Sequence, residues 1–110
     1  MTETKNLDRT IAVIGAGNMG SALIRGMINA KLASGGQIIA SGTHEEKLKK
    51  LESSFGISST TDNSAAARSA DIVLLCVKPY MMGSVLDEIK DVVKPSQLII
   101  SIAAGVTIDS

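Results

Sequence analysis

Apolar and polar positions divide the chain into two kinds of segment. Short, nearly continuous runs of Ile, Val, Leu and Ala predict buried strands. These strands are expected over residues 10–14, 37–41, 57–60, 72–77 and 98–102, the third being weak. The segments between them carry apolar residues at helical spacing. Helices are therefore expected over residues 19–30, 44–55, 63–69 and 81–93.

Local signals mark the ends of the two middle helices. Thr43 and Glu46 have the spacing of a capping box, which would start the second helix. Gly56 would end that helix, because glycine adopts the left-handed conformation common just after a helix. Asp62 or Asn63 would cap the short Ala-rich helix that follows.

Buried strands that alternate with helices are typical of a parallel sheet covered on both faces. We therefore predict an α/β protein with a doubly wound parallel sheet of the Rossmann type, about five strands, in the order 3-2-1-4-5. The 110 residues suit one domain. Because the sequence stops soon after the fifth strand, we expect residues 1–110 to be the dinucleotide-binding domain of a longer enzyme.

Three glycines with the spacing G-x-G-x-x-G join the first strand to the first helix. Gly15 would permit a tight turn, Gly17 would let a pyrophosphate approach the backbone, and Gly20 would let the helix pack closely on the strand. The helix start would then offer N–H groups to phosphates. The alternative is a tight strand–helix turn without a ligand.

The intervening residues and the end of the second strand would complete the nucleotide contacts. Ala16 belongs to the turn; Asn18 either binds the coenzyme or stabilises the turn, and Met19 packs over the coenzyme or into the core. Ser41 and Thr43 stand where an NAD-preferring fold usually has a carboxylate, although Thr43 could serve only as a cap. Small hydroxyl residues would accept a 2′-phosphate, so we expect NADP(H), with NAD as the second possibility.

The next residues on the second helix and three further loops are also candidates. Lys47 is either a counter-charge for the 2′-phosphate or a solvated residue, and His44 is expected to be exposed. Ligands of open α/β sheets bind where the strands end. Proline makes the loop after the fourth strand rigid, and small residues after the fifth would leave room for a nicotinamide ring. The candidates in these loops are Asn63 (coenzyme contact or cap), Val77, Lys78, Pro79, Ala103 and Ala104.

Composition narrows the classes of function. Eleven basic and eleven acidic residues balance, and the chain has one Tyr, one Phe and no Trp, which argues against nucleic-acid binding. We expect neither a secretory signal nor a membrane span, and Cys76, the single cysteine, is expected in the core of a cytoplasmic protein. One histidine and no evident acid–base pair lead us to assign no metal ligand and no catalytic residue.

These motifs together resemble the pyrroline-5-carboxylate reductases. The similar segments are VIGAGNMGSALIRGM, TDN at 61–63, DIVLLCVKP at 71–79 and LIISIAAGVTI at 98–108. The resemblance implies reduction of 1-pyrroline-5-carboxylate to L-proline with NADPH or NADH, the last step of proline biosynthesis. It also implies a C-terminal helical domain, absent from this sequence, that supplies the dimer interface and the substrate-binding and proton-donor residues.

Two other functions stay open from the sequence. The segment GAGNMG also occurs in hydroxyisobutyrate and 6-phosphogluconate dehydrogenases, so another dehydrogenase acting on a hydroxy acid is one alternative. A non-catalytic dinucleotide-sensing module is the other. In either enzyme, the 110-residue chain alone is expected to bind coenzyme without turnover.

Overall fold

The computed structural model describes residues 9–15 and 17–102. Five strands form one parallel sheet in the order β3-β2-β1-β4-β5, which confirms the predicted Rossmann-type architecture. The expectation of burial is wrong for the last of them, an edge strand that is exposed along its whole length. The strands are β1 (Ile11–Ile14), β2 (Ile38–Ser41), β3 (Ser58–Thr60), β4 (Ile72–Leu75) and β5 (Leu98–Ser101). The helices are α1 (Asn18–Asn29), α2 (Glu45–Phe55), α3 (Asn63–Arg68) and α4 (Met82–Ile89), with short 3-10 turns at Gly35–Gln37 and Pro79–Met81.

All five strands end at the same level of the sheet. Ile14, the last residue of β1, pairs with Ser41 on one side and with Leu75 on the other. Ser41 in turn pairs with Thr60, and Leu75 pairs with Ser101. We call this side of the sheet the carboxyl edge. The loops that begin there are brought together whatever their separation in sequence.

The first face of the sheet is covered by α1 and α2. Ile24 of α1 and Leu48 and Leu51 of α2 pack in one cluster with Ile11 and Val13 of β1. Each fully buried aliphatic side chain of this kind contributes roughly 1.5–3 kcal/mol. This cluster fixes the first helix above the central strand.

The second face is covered by α3 and α4. Ala66 and Ala67 of α3 and Val85 and Ile89 of α4 pack in a cluster that includes Ile14. Since β1 is buried along its whole length, its alternate side chains serve both clusters. The continuous apolar run that predicted this strand is thereby explained.

Two of the expected helix ends are confirmed. Asp62 caps α3, because its carboxylate accepts a hydrogen bond of 3.0 Å from the Ser64 amide. Gly56 ends α2 in the left-handed conformation, with φ 72°, and its N–H donates to the Glu52 carbonyl.

The predicted capping box at Thr43 is wrong by one position. The helix α2 begins at Glu45, so His44 is the cap residue, and no side chain caps it. Thr43 therefore lies one residue before the cap, and its hydroxyl is 3.3 Å from His44 Nδ1 instead of bonding the first turn. The start of the helix depends on the backbone conformation of the loop after β2. The spacing of Thr43 and Glu46 does not determine that conformation.

The fourth helix is shorter than its apolar pattern predicts. It ends at Ile89, where the N–H groups of Val92 and Val93 both donate to the Ile89 carbonyl. Pro95 follows closely, and the residue before a proline is disfavoured in the helical conformation. Within the described ranges, no helix has the length and apolar character needed to cross a bilayer.

The turn before β2 contains a glycine that the packing requires. Ser34 and Gln37 cap each other across this turn. A Cβ at Gly35 would overlap the Phe55 carbonyl oxygen and lie 2.9 Å from the Gly56 carbonyl carbon. A Cβ at Gly36 would meet nothing within 4 Å. Of the two glycines, only Gly35 is therefore in close contact with the end of α2.

We expect Gly35→Ala to lower the free energy of unfolding by about 2 kcal/mol, because the added methyl group must displace backbone atoms. Gly36→Ala is the matched control and should change it by less than about 0.5 kcal/mol. Urea denaturation of both variants measures the difference. Equal effects at the two positions would contradict the packing described here.

Candidate functional site

A cleft of about 670 Å³ opens at the carboxyl edge. Its walls are the turn after β1, the loops after β2, β3 and β4, and one face of the segment that leads into α4. Ligands of doubly wound sheets bind at such an edge, near the point where the strand order reverses. In this sheet that point lies between β1 and β4.

The turn after β1 is held tightly by its own backbone. Gly15 has φ 90°, and its N–H donates to the Ser41 carbonyl at 3.0 Å. A Cβ on Gly15 would lie 2.7 Å from Val77 Cγ1 and 2.9 Å from the Cys76 carbonyl oxygen. Both the backbone conformation and the packing therefore require glycine at this position.

Gly20 brings α1 close to the end of β1. It is buried, and a Cβ there would lie 2.7 Å from the Gly15 carbonyl oxygen and 3.2 Å from Val13 Cγ1. No other residue type permits the helix to approach the turn this closely. The start of α1 is consequently fixed beside the cleft.

Gly17 differs from the other two glycines of the motif. Its φ is −85°, and a Cβ there would meet nothing within 4 Å. Packing against the described residues therefore does not require glycine at this position. Gly17 lines the cleft, so the missing side chain leaves open space directly above the backbone.

The start of α1 suits an anion. The first turn of any helix leaves N–H groups without intrahelical acceptors. In α1 this turn begins at Asn18 and contains no acidic residue, so nothing offsets the positive end of the helix dipole. A phosphate above Gly17 would meet these N–H groups.

The loop after β2 presents Thr43 to the cleft but not Ser41. Thr43 and His44 both line the cleft, whereas Ser41 is completely buried and its hydroxyl donates to Asn63 Oδ1 at 2.7 Å. The expectation that Ser41 offers a donor to a 2′-phosphate is therefore not met by this geometry. Lys47 lines a smaller cavity of about 250 Å³ between α1 and α2.

The loops after β3 and β4 form the opposite wall. Asn63 lines the cleft, and since Asp62 caps α3, Asn63 has no capping role. Val77 and Lys78 line the cleft as well, while Pro79 begins the following 3-10 turn and is not part of the wall.

Cys76 lies at the base of the cleft as a buried core residue, as expected. Burial raises the pKa of its thiol from 9.0 to about 11. The thiol is therefore neutral near pH 7, and a neutral thiol is a poor nucleophile. Among the described residues, no group of three or more His, Cys, Asp or Glu side chains could hold a metal ion.

Some predicted contacts lie elsewhere. Asn18 lines the smaller cavity, and Met19 is half-buried outside the cleft wall. Ala16, Ala103 and Ala104 lie outside the described residues, and their predicted roles stay predictions.

Sequence reasoning missed one wall of the cleft. Met81, Ser84, Val85 and Glu88 line it from the segment that leads into and forms α4. Their spacing is i, i+3, i+4 and i+7, which places residues on one face of a helix. Helical periodicity shows that these residues share one face, but it does not show that this face lines the cleft. His44 is exposed, as expected, and it also lines the cleft, which was not foreseen because the path of its loop was unknown.

Comparisons with known proteins identify the family and the fold. Residues 10–105 match the family model described as NADP oxidoreductase coenzyme F420-dependent. A pyrroline-5-carboxylate reductase of Methanosarcina acetivorans is 43% identical over 103 residues, which are 94% of this chain and 38% of the relative.

Two solved structures show the same fold. A pyrroline-5-carboxylate reductase from Coxiella burnetii has a TM-score of 0.82 at 33% identity, covering 92% of this chain and 37% of that one. The Plasmodium falciparum pyrroline carboxylate reductase with NADP bound has a TM-score of 0.76 at 30% identity, covering 96% and 37% respectively.

The chain thus spans little more than a third of the length of the relatives it matches. The family match extends from the start of β1 past the end of β5 and includes every loop of the cleft. This chain belongs to the family described as NADP oxidoreductase, coenzyme F420-dependent.

Proposed function

We propose that this chain is the NADP(H)-binding domain of a pyrroline-5-carboxylate reductase. The observation that carries the coenzyme assignment is Gly17, the one glycine of the motif that the protein's own packing does not explain. Its bare backbone lies in the cleft beside the start of α1. The relatives named above support the choice of reductase.

The diphosphate would bind above the turn after β1. Gly15 and Gly20 fix the turn and the helix, and Gly17 leaves room for the phosphate oxygens. The N–H groups of the first turn of α1 would donate to them. The predicted contacts in this segment are Gly15, Ala16, Gly17, Asn18, Met19 and Gly20. Asn18 and Met19 do not line the cleft, so they would contribute through their backbone N–H groups.

The adenosine ribose would lie at the loop after β2. Thr43 has a hydroxyl that can donate to a 2′-phosphate, and His44 lies beside it. The cofactor of the Plasmodium falciparum structure is NADP. Ser41 would contribute indirectly, through its hydrogen bond to Asn63.

The nicotinamide end would lie along the loop after β4. Val77 and Lys78 form the cleft wall there, and Ala103 and Ala104 are predicted to complete it, with Pro79 keeping the loop rigid. The bound coenzyme supplies a hydride, and reduction of a C=N bond also needs a proton. The residues of this chain bind and orient the coenzyme.

The remaining two thirds of the relatives' length is where substrate-binding and proton-donor residues would lie. The proposal therefore includes a small-molecule substrate held by a C-terminal helical domain. It also includes a homo-oligomer formed through that domain, and a place in the cytoplasm. Each of these belongs to the longer enzyme.

We expect Gly17→Val to abolish measurable NADPH binding, because its side chain would occupy the space of the diphosphate. Folding should be preserved, since a Cβ at Gly17 meets nothing within 4 Å. Gly26→Val in α1 is the matched control, because Gly26 is equally open and lies away from the cleft. Calorimetric titration measures both. Wild-type affinity in Gly17→Val would refute the diphosphate site, and absence of binding to the wild-type chain would refute the proposal.

We expect the wild-type chain to bind NADPH more tightly than NADH, and Thr43→Glu to weaken NADPH binding at least tenfold while NADH binding changes little. A carboxylate there would repel the 2′-phosphate, and such like-charge contacts cost several kcal/mol. Thr61→Glu adds the same charge to the cleft after β3 and should affect both coenzymes alike. Tighter NADH binding by the wild type would contradict the assignment.

We expect a protein that continues this domain with a helical domain to oxidise NADPH when 1-pyrroline-5-carboxylate is added, and to form proline. The 110-residue chain should bind coenzyme without turnover. Absorbance of NADPH and chromatography of proline measure the reaction. Activity only on hydroxy acids would indicate another dehydrogenase, and a stop codon after Ser110 would indicate a dinucleotide-sensing module.

A further inference from the structure

A row of hydrogen bonds connects three elements at the wall of the cleft. Ser41 Oγ, at the end of β2, donates to Asn63 Oδ1 at 2.7 Å. Asn63 Nδ2, at the start of α3, donates to Glu88 Oε1 at 3.1 Å. Glu88 lies in the last turns of α4, so groups 22 and 25 residues apart meet here. The row runs from the buried Ser41 through the half-buried Asn63 to the exposed Glu88.

The carboxylate decides which way the amide of Asn63 faces. An ionised carboxylate only accepts hydrogen bonds, whereas a side-chain amide has one accepting and one donating end. Turning the amide over would place its oxygen against the Glu88 oxygen, and two acceptors repel. A serine hydroxyl could satisfy either end of the amide, so Ser41 does not impose an orientation.

Once the amide is fixed, the Ser41 hydrogen is fixed as well. The amide oxygen faces Ser41, so the hydroxyl must donate to it. The second Nδ2 hydrogen of Asn63 has no acceptor among the described residues, and Asn63 lines the cleft. The arrangement therefore leaves an amide hydrogen for a ligand oxygen and removes the Ser41 hydrogen from use.

We propose that Glu88 is a positioning residue of the coenzyme cleft, which holds the Asn63 amide in the orientation that presents an N–H donor to a sugar oxygen of the nucleotide. Glu88 acts through Asn63. The inference rests on the proposed coenzyme function for its effect on binding, but the orientation itself is a property of the protein without coenzyme.

The first test measures the pair in the coenzyme-free chain. Asn63→Asp places its carboxylate beside that of Glu88 and should lower Tm. In the double variant Asn63→Asp/Glu88→Gln, the new Gln amide can donate to the new carboxylate, so much of the lost Tm should be recovered. Additive effects of the two substitutions on unfolding free energy would overturn the coupling. This readout does not depend on whether NADPH binds.

The second test measures the effect on coenzyme. Glu88→Ala should weaken NADPH binding roughly fivefold, because the Asn63 amide is no longer oriented and its hydrogen bond to the coenzyme is lost. Glu88→Gln can accept from the Asn63 amide but can also donate to it, so it fixes the orientation less firmly and should weaken NADPH binding by less than Glu88→Ala does. In the free protein, the Asn63 side-chain amide resonances should shift in Glu88→Ala. Unchanged resonances, or equal loss of binding in both variants, would overturn the proposal.

Ser64→Ala separates positioning from packing. The Ser64 hydroxyl donates to the Glu88 backbone carbonyl at 2.8 Å, so it also ties α3 to α4 without touching the Asn63 amide. Removing it should lower Tm while NADPH affinity stays at the wild-type value. A loss of affinity equal to that of Glu88→Ala would show that Glu88 only holds the helices together. A wild-type chain that binds no NADPH would refute the coenzyme function and leave the first test valid.

Discussion

The close approach of α1 to the turn after β1 is the contact on which the rest of the site depends. At Gly20 the helix lies so near the Gly15 carbonyl that any Cβ would have to displace it. The turn is also bonded to the end of β2 through the Gly15 N–H and the Ser41 carbonyl. Because α1, Gly15 and the end of β2 are in direct contact, the N–H groups of α1 are positioned beside the cleft before any ligand arrives.

The polar atoms of the carboxyl edge fall into two groups. One group holds the loops together: the Ser41 hydroxyl, the Asn63 amide oxygen and the Ser41 carbonyl are all used inside the protein. The other group is left for a ligand: the first-turn N–H groups of α1 and the second amide hydrogen of Asn63. The Thr43 hydroxyl lies 3.3 Å from His44 Nδ1. Buried polar groups need partners. Because the atoms of the first group satisfy one another, the loops are held together without using the atoms that are available to a ligand.

Periodicity was sufficient to find the strands and helices, because burial on both faces of β1 is repeated along the chain. The sheet order was taken from the Rossmann type that this alternation indicates, and it is confirmed. The glycine turn could be found because the steric needs of Gly15 and Gly20 are local. Sequence reasoning failed where the role of a residue depends on contacts between segments that are far apart in the chain. Ser41 has the right chemistry and position for a phosphate donor, but its hydrogen is used by Asn63, which is 22 residues away. The role of Glu88 in the cleft wall was not predicted for the same reason, because it depends on how α4 packs against the cleft.

The N-termini of α1 and α2, which both start at the cleft, differ in the electrostatic field that an anion would meet. The first turn of α1 carries no acidic residue, whereas that of α2 carries Glu45 and Glu46. Those carboxylates offset the positive end of the α2 dipole, so the diphosphate is better stabilised at α1. In the proposed site, a 2′-phosphate near α2 would depend on direct hydrogen bonds, for which Thr43 and His44 are the candidates. Because acidic charge lies one or two residues away, preference for NADP over NAD should be moderate, which is consistent with NAD as the second coenzyme.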